Sequence, residues 1–172
     1  MSSGPRKVDG FDGATQDHVV KIIMYSNDTS GLVVGDAVMV NAGDTTYGRG
    51  NTVIEATNAS SSLVVGIADK LPQKEDGTLL SAGDIIVQVS GIRTDVNCHA
   101  DTVAGDRLSN LASSVAGQLR DLADVCATGS VSQAEGVKLA YAGNGVAIAL
   151  TDDSATTNKC TARLLDPMNL AH

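Results

Sequence analysis

The residues best suited to chemistry in this sequence are its three cysteines and three histidines. Cys98 and His99 are adjacent, and a thiolate with an imidazole can bind Zn²⁺ or act as a nucleophile with its base. Neighbouring residues on an extended chain point to opposite faces, however, and two groups without further ligands make no metal site. His18 and His172 lie in no nucleophile motif either. The sequence therefore predicts no metal site and no local triad motif, although a triad need not be local in sequence.

Other routes to catalysis also lack a motif. The glycines form neither a phosphate-binding loop nor a dinucleotide fingerprint, so we expect no cofactor. Many carboxylates have a structural explanation, because they follow glycine at predicted turns or lie in a polar N-terminal segment. We therefore predict that the chain is not an enzyme. A trimeric β-rich hydrolase is kept as an alternative, although no stretch matches the motifs of that class.

Charge and aromatic content argue against two classes of binding protein. The formal net charge is -8, whereas binding to a nucleic-acid backbone depends on clustered Lys and Arg that release counterions. We therefore predict no nucleic-acid partner. The aromatic residues are Phe11, Tyr25, Tyr47 and Tyr141. Because stacking rings carry most sugar binding, this scarcity weakens the case for a glycan-binding module.

Cys98, Cys126 and Cys160 are odd in number and widely spaced. This pattern fits neither a secreted disulfide framework nor a zinc site, so we predict small buried side chains. Whether they oxidise once the protein leaves the cell is left open. The sequence has no apolar run of membrane-spanning length and no signal-peptide core. We expect no membrane partner and synthesis in a reducing cytoplasm.

Residues 1–17 are rich in Ser, Gly and Asp and carry one apolar anchor, Phe11. Such a segment buries too little surface to fold alone. It is predicted either to fray or to be an extended arm that a neighbouring subunit orders. On the second interpretation Arg6, Lys7 and Phe11 contact that subunit. Residues 18–172 are long enough to form a single β-rich domain with its own core.

The clearest secondary-structure pattern is at residues 81–92, where branched apolar residues alternate with polar ones. This alternation predicts a strand with one buried face. Gly83-Asp84 before it predicts a tight turn, because Gly accepts a positive φ and Asp binds local backbone. The same Gly-Asp turn is predicted at Gly35-Asp36 and at Gly105-Asp106, each before a further apolar run. Strands are predicted at residues 18–25, 38–40, 52–56, 63–69, 85–92, 137–141, 146–150 and 160–165.

Two segments pose questions of local structure. Residues 109–125 have apolar spacings of three and four, which fit an amphipathic helix, but two serines and Gly117 weaken a helix there. A hairpin that turns at Ala116-Gly117 is the alternative. Farther along, Asn144-Gly145 is a strong hairpin signal between the two strands that flank it. The fold class predicted from these patterns is mainly all-β, a compact barrel-like or sandwich-like module with long loops and at most one or two short helices.

A loose repeat runs through the chain. A Gly-Asp turn, an apolar strand, loops and a second glycine-led strand extend from Gly35-Asp36 to Gly66-Ile67-Ala68. The same order extends from Gly105-Asp106 to Gly145-Val146-Ala147. The period is not fixed, which excludes a solenoid or propeller. Chance is the alternative explanation in a chain rich in Gly, Ala and Val.

The combination resembles the small decoration, or cement, proteins of tailed-bacteriophage heads. The resemblance rests on residues 104–108, 145–150 and 161–165 and extends over most of 31–165. It implies a compact β-rich module, often a homotrimer, that lies on the outer capsid surface of the virion and clamps neighbouring major capsid proteins. It also implies a strand turning at Ala116-Gly117 in place of a long helix. A virion-surface module that binds a host glycan or receptor is the alternative function.

The C-terminal segment carries the remaining site prediction. Four of its apolar residues are expected to be buried in the protomer or in a self-assembly interface. These residues are Leu164, Leu165, Met168 and Leu170. The expected partners are thus the major capsid protein and further copies of this chain.

Overall fold

The computed structural model describes residues 6–12, 17–47, 50–57, 64–110, 115–122, 145–154 and 156–165, with backbone alone at 6–12 and 17–18. This part of the chain is nearly all β, which confirms the predicted fold class. The strands are β1 (Arg6–Asp12), β2 (Asp17–Ser26), β3 (Ala37–Val40), β4 (Val53–Glu55), β5 (Val64–Lys70), β6 (Gly83–Gln88), β7 (Ser90–Asn97), β8 (Arg107–Ser109), β9 (Arg120–Asp121), β10 (Ala147–Ala149) and β11 (Lys159–Leu165).

The strands form two sheets in a sandwich-like arrangement. The first sheet has the order β1-β2-β6-β5-β3-β4, and the second has the order β7-β11-β10-β8-β9. Neighbouring strands in each sheet are antiparallel. Over the described ranges neither sheet closes into a barrel. An isolated parallel bridge links Tyr25 to Thr52 in the first sheet, and another links Cys98 to Leu119 in the second.

The two sheets have the same topology. Without the added strand β1, the first sheet runs β2-β6-β5-β3-β4, and the second runs β7-β11-β10-β8-β9. Numbered from its own first strand, each half therefore has the spatial order first, fifth, fourth, second, third. The loose sequence repeat thus corresponds to a structural duplication, and we call the two units the first half (β2–β6) and the second half (β7–β11).

Equivalent turns in the two halves share their hydrogen bonds. In the first half, Val33 N donates to the carboxylate of Asp36 at 2.7 Å, and in the second half Val103 N donates to Asp106 at 2.8 Å. Gly35 and Gly105 have φ values of 102° and 100°, which only glycine adopts readily. The predicted Gly-Asp turn is confirmed at both places. Gly83 differs, because it already pairs with Ser26 as the first residue of β6.

Two apolar clusters form the core. The first fills the inner face of the first sheet, with Ile22, Val38, Ile85 and Val87 among its members. The second cluster lies between the halves. It contains side chains from the inner face of the second sheet and from the outer face of β3 and β5 in the first sheet. The first-sheet members of this second cluster are Ala37, Met39, Ala56, Val64 and Ile67. Since β3 and β5 are buried on both faces, the second cluster joins the halves by burial of apolar surface.

The predicted strand at 85–92 is divided between the sheets. Its buried alternation is confirmed, because Ile85, Val87 and Val89 are all inaccessible to solvent. The pairing is different from the expectation: β6 ends at Gln88, and β7 begins at Ser90 in the other sheet. Gly91 has φ 87° at this crossover, which an L-residue rarely adopts. Residues 93–97, beyond the predicted strand, complete β7.

Gly66 lies at a close backbone approach inside β5. A Cβ there would be 2.3 Å from the carbonyl oxygen of Gln88. The register of β5 also shifts next to this residue, since Val38 pairs with Gly66 and Met39 with Val64. The extra residue is the signature of a β-bulge.

The hairpin alternative is confirmed for residues 109–110 and 115–121. β8 pairs antiparallel with β9, so that Leu108 is opposite Asp121, and Gly117 has φ 73° in the connecting turn. The helical interpretation is wrong for 115–121. The second hairpin signal, Asn144-Gly145, stays a prediction, because residues 137–144 are outside the described ranges. The strand after it, β10, pairs with β8 and β11.

The predicted N-terminal arm includes a paired strand. β1 is antiparallel to β2 over its whole length, from Arg6 opposite Ile23 to Asp12 opposite Asp17. Backbone pairing needs no apolar side chain, which is why composition did not reveal this strand. Contacts of Arg6, Lys7 and Phe11 with a neighbouring subunit stay a prediction, because the structure describes only their backbone.

Candidate functional surfaces

The two Gly-Asp turns present apolar side chains to solvent. Val33 is 50% exposed and its equivalent Val103 is 52% exposed. Val34, which follows Val33, is also exposed. Each valine is held by the hydrogen bond from its own backbone nitrogen to the turn aspartate. The duplication thus gives one chain two copies of the same protruding turn, which we call the first and second valine turns (residues 33–36 and 103–106).

The surroundings of these turns differ. The first valine turn contacts the second half, because Asn97 N donates to the carbonyl of Gly35 at 3.0 Å. A Cβ on Gly35 would lie 2.2 Å from the carbonyl oxygen of Asp95. A Cβ on Gly105 in the second turn would meet no atom within 4 Å. The backbone of the first turn therefore helps to join the halves, while its valine side chain stays accessible.

A shallow apolar groove adjoins the first valine turn. It has a volume of about 410 Å³ and runs between residues 29–33 and 79–81. Val33 and Leu79, which is 47% exposed, lie on its rim. Surface valine and leucine side chains grouped in this way are typical of protein contact sites.

A polar cleft of about 310 Å³ lies on the other side of the first valine turn. Asp36 and Glu55 supply its carboxylates, and Asn97, Gln118 and Asn158 supply amides. Burial raises the pKa of Asp36 above its ordinary value, although hydrogen bonds from Val33 N and the Asn97 side chain oppose the rise. Burial, and then the charge of Asp36, raise the pKa of Glu55.

The chemistry of this cleft is limited by what Asp36 already binds. Its Oδ1 accepts from Asn97 Nδ2 at 2.5 Å and its Oδ2 accepts from Val33 N at 2.7 Å. A carboxyl group with a raised pKa can act as a general acid, but the described lining holds neither histidine nor cysteine beside it. The cleft is therefore best explained as the polar part of the contact between the halves.

A second charged cluster is centred on Arg93 of β7, whose side chain is buried. Arg93 pairs with Asp69 of β5 and with Asp95 at 2.8 Å. Lys21 also pairs with Asp69 at 2.8 Å. Burial raises the pKa of Asp69, but the hydrogen bonds from Lys21 and Arg93 outweigh it and the net pKa lies below the ordinary value. This cluster links strands of both sheets.

The remaining residues with potentially reactive side chains are a pair of tyrosines, His99 and the cysteines. The ring of Tyr25 faces that of Tyr47 with 4.4 Å between the centroids. His99 pairs with Asp101. Cys98 and Cys160 are free thiols and fully buried, which confirms that prediction for these two residues, and Cys126 is outside the described ranges. Among the described residues, no group of three or more His, Cys, Asp and Glu is placed to hold a metal ion.

The predicted C-terminal contact residues differ in their burial. Leu164 is buried in the second cluster, opposite Ala147 of β10, so it belongs to the protomer core. Leu165 is half-buried at the end of β11. Met168 and Leu170 are outside the described residues. The pair Val33 and Val103 was missed from the sequence, although the two Gly-Asp turns that place these valines were recognised.

Comparisons with known proteins identify no relative. No family model, no curated protein and no solved structure matches this chain. The resemblance to cement proteins thus rests on the sequence motifs alone. In the part of the chain that the structure describes, no helix has the length and apolar character needed to cross a membrane.

Proposed function

We propose that this protein is a capsid decoration protein that binds the outer surface of a phage head and clamps neighbouring copies of the major capsid protein. One observation carries the proposal. The two halves have the same strand order, and each presents a turn with a valine that is about half exposed, 50% at Val33 and 52% at Val103. One chain therefore offers two similar contact surfaces.

Two similar surfaces on one rigid chain are suited to a repeated target. A capsid presents identical subunits side by side, and a clamp must hold two of them at once. Binding through the second surface becomes intramolecular after the first has bound, so avidity can exceed either single affinity by about 10²–10⁴. Full burial of one valine side chain contributes on the order of 1.5–3 kcal/mol. Weak single contacts would therefore suffice for tight bridging.

Charge and sheet edges support the same function. A net charge of -8 favours solubility and opposes binding to packaged nucleic acid. β1 pairs with β2 along one edge, and no strand among the described residues pairs with its other edge. An open strand edge can bind a strand of another chain. We infer that β1, with Arg6, Lys7 and Phe11, contacts a neighbouring subunit in a homotrimer on the virion surface. Met168 and Leu170 are proposed to contribute to the same assembly.

The experiment is reconstitution on undecorated heads. The purified chain is added to phage heads that lack a decoration protein, and occupancy is measured by sedimentation and electron microscopy. We expect saturable binding at regular lattice positions and heads that withstand higher temperature than undecorated ones. Solution mass measured on the free chain should give three protomers. Absence of ordered binding to heads would contradict the proposal.

Adhesion to a host surface is the second candidate function. The observation that favours it is the Tyr25–Tyr47 ring pair, since Tyr47 is 39% exposed and an accessible ring can stack on a sugar. Binding to a glycan array that is lost in Tyr47→Ala would support this candidate. Tight binding to heads with no glycan signal would support the clamp.

A further inference from the structure

Cys98 and Cys160 are diagonal neighbours across the β7–β11 pair, on one face of the second sheet. Cys160 of β11 is opposite Val96 of β7. Cys98 is two residues beyond Val96 and therefore points to the same face of the sheet. The backbone nitrogen of Cys98 also donates to Asn158 O at 2.9 Å, so the chain stays paired beyond the last residue of β7. Both side chains belong to the apolar cluster that joins the halves.

The surroundings of the two thiols make their pKa values unequal. Interaction with the Cys160 side chain is the main cause that lowers the pKa of Cys98, while burial opposes it. The same interaction, then burial, raises the pKa of Cys160. Thr102 adds a smaller lowering of the Cys98 pKa, and its buried hydroxyl has no hydrogen-bond partner among the described residues. Cys98 is thus the sulfur whose thiolate is stabilised.

We propose that Cys98 and Cys160 form a peroxide-reactive dithiol site that closes to a disulfide between β7 and β11. The Cys98 thiolate attacks one oxygen of hydrogen peroxide, the O–O bond breaks, and Cys98 becomes a sulfenic acid as hydroxide leaves. The sulfur of Cys160 then attacks the sulfenic sulfur. The S–O bond breaks, its oxygen leaves as water with the thiol proton, and the S–S bond forms. Two thiols and one peroxide thus give one disulfide and two waters.

The position of the pair explains how a small oxidant reaches buried sulfurs. Cys98 follows the last residue of β7, and Cys160 is the second residue of β11. Both are therefore near one end of the β7–β11 ladder, where a local opening breaks fewer hydrogen bonds than it would in the middle of the ladder. His99 and Lys159 next to them are partly exposed. Hydrogen peroxide is small enough to enter during such openings, whereas a bulky disulfide reagent is not.

The cross-link would close a long stretch of chain. Joining residues 98 and 160 restricts the unfolded state, and the stabilisation from a loop of that length is large. The oxidised protein is therefore expected to melt at a temperature roughly 5–15 °C above the reduced protein. This inference does not depend on the proposed function, since it concerns the second half alone.

The test uses the full chain with Cys126→Ser, so that two thiols remain. The protein is treated with hydrogen peroxide, unfolded, alkylated and weighed. We expect a loss of about 2 Da with no alkylation, which corresponds to one disulfide, together with the higher melting temperature. Cys98→Ser and Cys160→Ser in the same background should instead keep one sulfur that is alkylated or oxygenated. If the Cys126→Ser chain does not fold, peptide mapping of the oxidised wild type gives the same answer.

Four outcomes would overturn the proposal. The first is two alkylated thiols after peroxide treatment that oxidises exposed methionine. The second is oxygen addition at Cys98 without a bond to Cys160. The third is a disulfide that includes Cys126 in the wild type. A melting temperature that is unchanged after the disulfide forms would also contradict it, because a bond that fits the native sheet restricts only the unfolded chain.

Discussion

Asn97 Nδ2, at the end of β7, donates a hydrogen bond to Oδ1 of Asp36, at the start of β3, over 2.5 Å. The bond joins the first valine turn to the second half, and Gly117 packs against the same carboxylate. Asp106 holds the equivalent position in the second half, where it accepts from Val103 N and is more exposed. The duplication therefore supplies Asp106 as a matched control for Asp36.

Asp36→Asn should destabilise the protein by about 1–3 kcal/mol, because the amide cannot accept both hydrogen bonds that Asp36 accepts and leaves a buried group unsatisfied. Asp106→Asn should cost less, since water can reach the equivalent turn. Urea unfolding of the two variants measures the difference. Equal losses at the two positions would show that Asp36 does not join the halves.

Gly117→Ala should be more harmful than Gly105→Ala. Both glycines have positive φ, 73° and 100°, so each alanine carries a backbone cost of about 1–2 kcal/mol. At Gly117 the added Cβ would also lie 2.6 Å from Asp36 Cγ, which adds about 1–3 kcal/mol of overpacking. The midpoints of denaturant unfolding measure the two stability losses, provided that the dependence of the unfolding free energy on denaturant is unchanged. A larger loss of stability in Gly105→Ala than in Gly117→Ala would refute the prediction.

Glu55→Gln should stabilise the protein at pH 7. Burial and the Asp36 charge raise the pKa of Glu55 in the folded state. The folded chain therefore holds this proton more tightly than the unfolded chain, and stability is lost as the pH rises from the ordinary pKa of 4.5 through the raised value. Gln avoids that loss. The difference from wild type should vanish below the ordinary glutamate pKa, and a variant less stable than wild type at pH 7 would contradict this.

Asp69→Ala should cost on the order of 3 kcal/mol, because it removes a partner of the buried Arg93 and leaves that charge less compensated. The control is Asp101→Ala, whose ion pairs with His99 and Arg120 involve a carboxylate that is 51% exposed and should contribute at most about 1 kcal/mol. The Asp69 contribution should fall in acid, since its pKa is lowered in the folded state. Similar losses in the two variants would refute the assignment.

The sequence predicted elements wherever one face of a strand is buried. The positions of β2, β3, β5 and β11 were predicted from apolar runs and turn residues. A strand that buries one face has apolar residues at every second position, and this alternation can be recognised in the sequence. The crossover at Val89 was not recognised, since Val89 continues the buried alternation of β6 while the backbone changes sheets between Gln88 and Ser90. β1 was missed because its pairing is carried by backbone.

The duplication was visible only as a loose repeat. The two halves share the Gly-Asp turns, whereas the residues around them diverged with their surroundings. Ala37 is buried between the halves, while its equivalent Arg107 is partly exposed. The contact surfaces on Val33 and Val103 depend on this packing, so their exposure followed from the structure and not from local sequence.

The central claim is that one chain binds two neighbouring capsid subunits through its two valine turns. Affinity for undecorated heads should therefore be measured for Val33→Asp, Val103→Asp and the double variant, with Gln73→Asp as a control that adds the same charge to an exposed loop. We expect each single variant to bind about 100-fold more weakly, the double variant to show no saturable binding, and the control to match wild type. Wild-type affinity in either single variant, with all binding lost in the other, would contradict the claim.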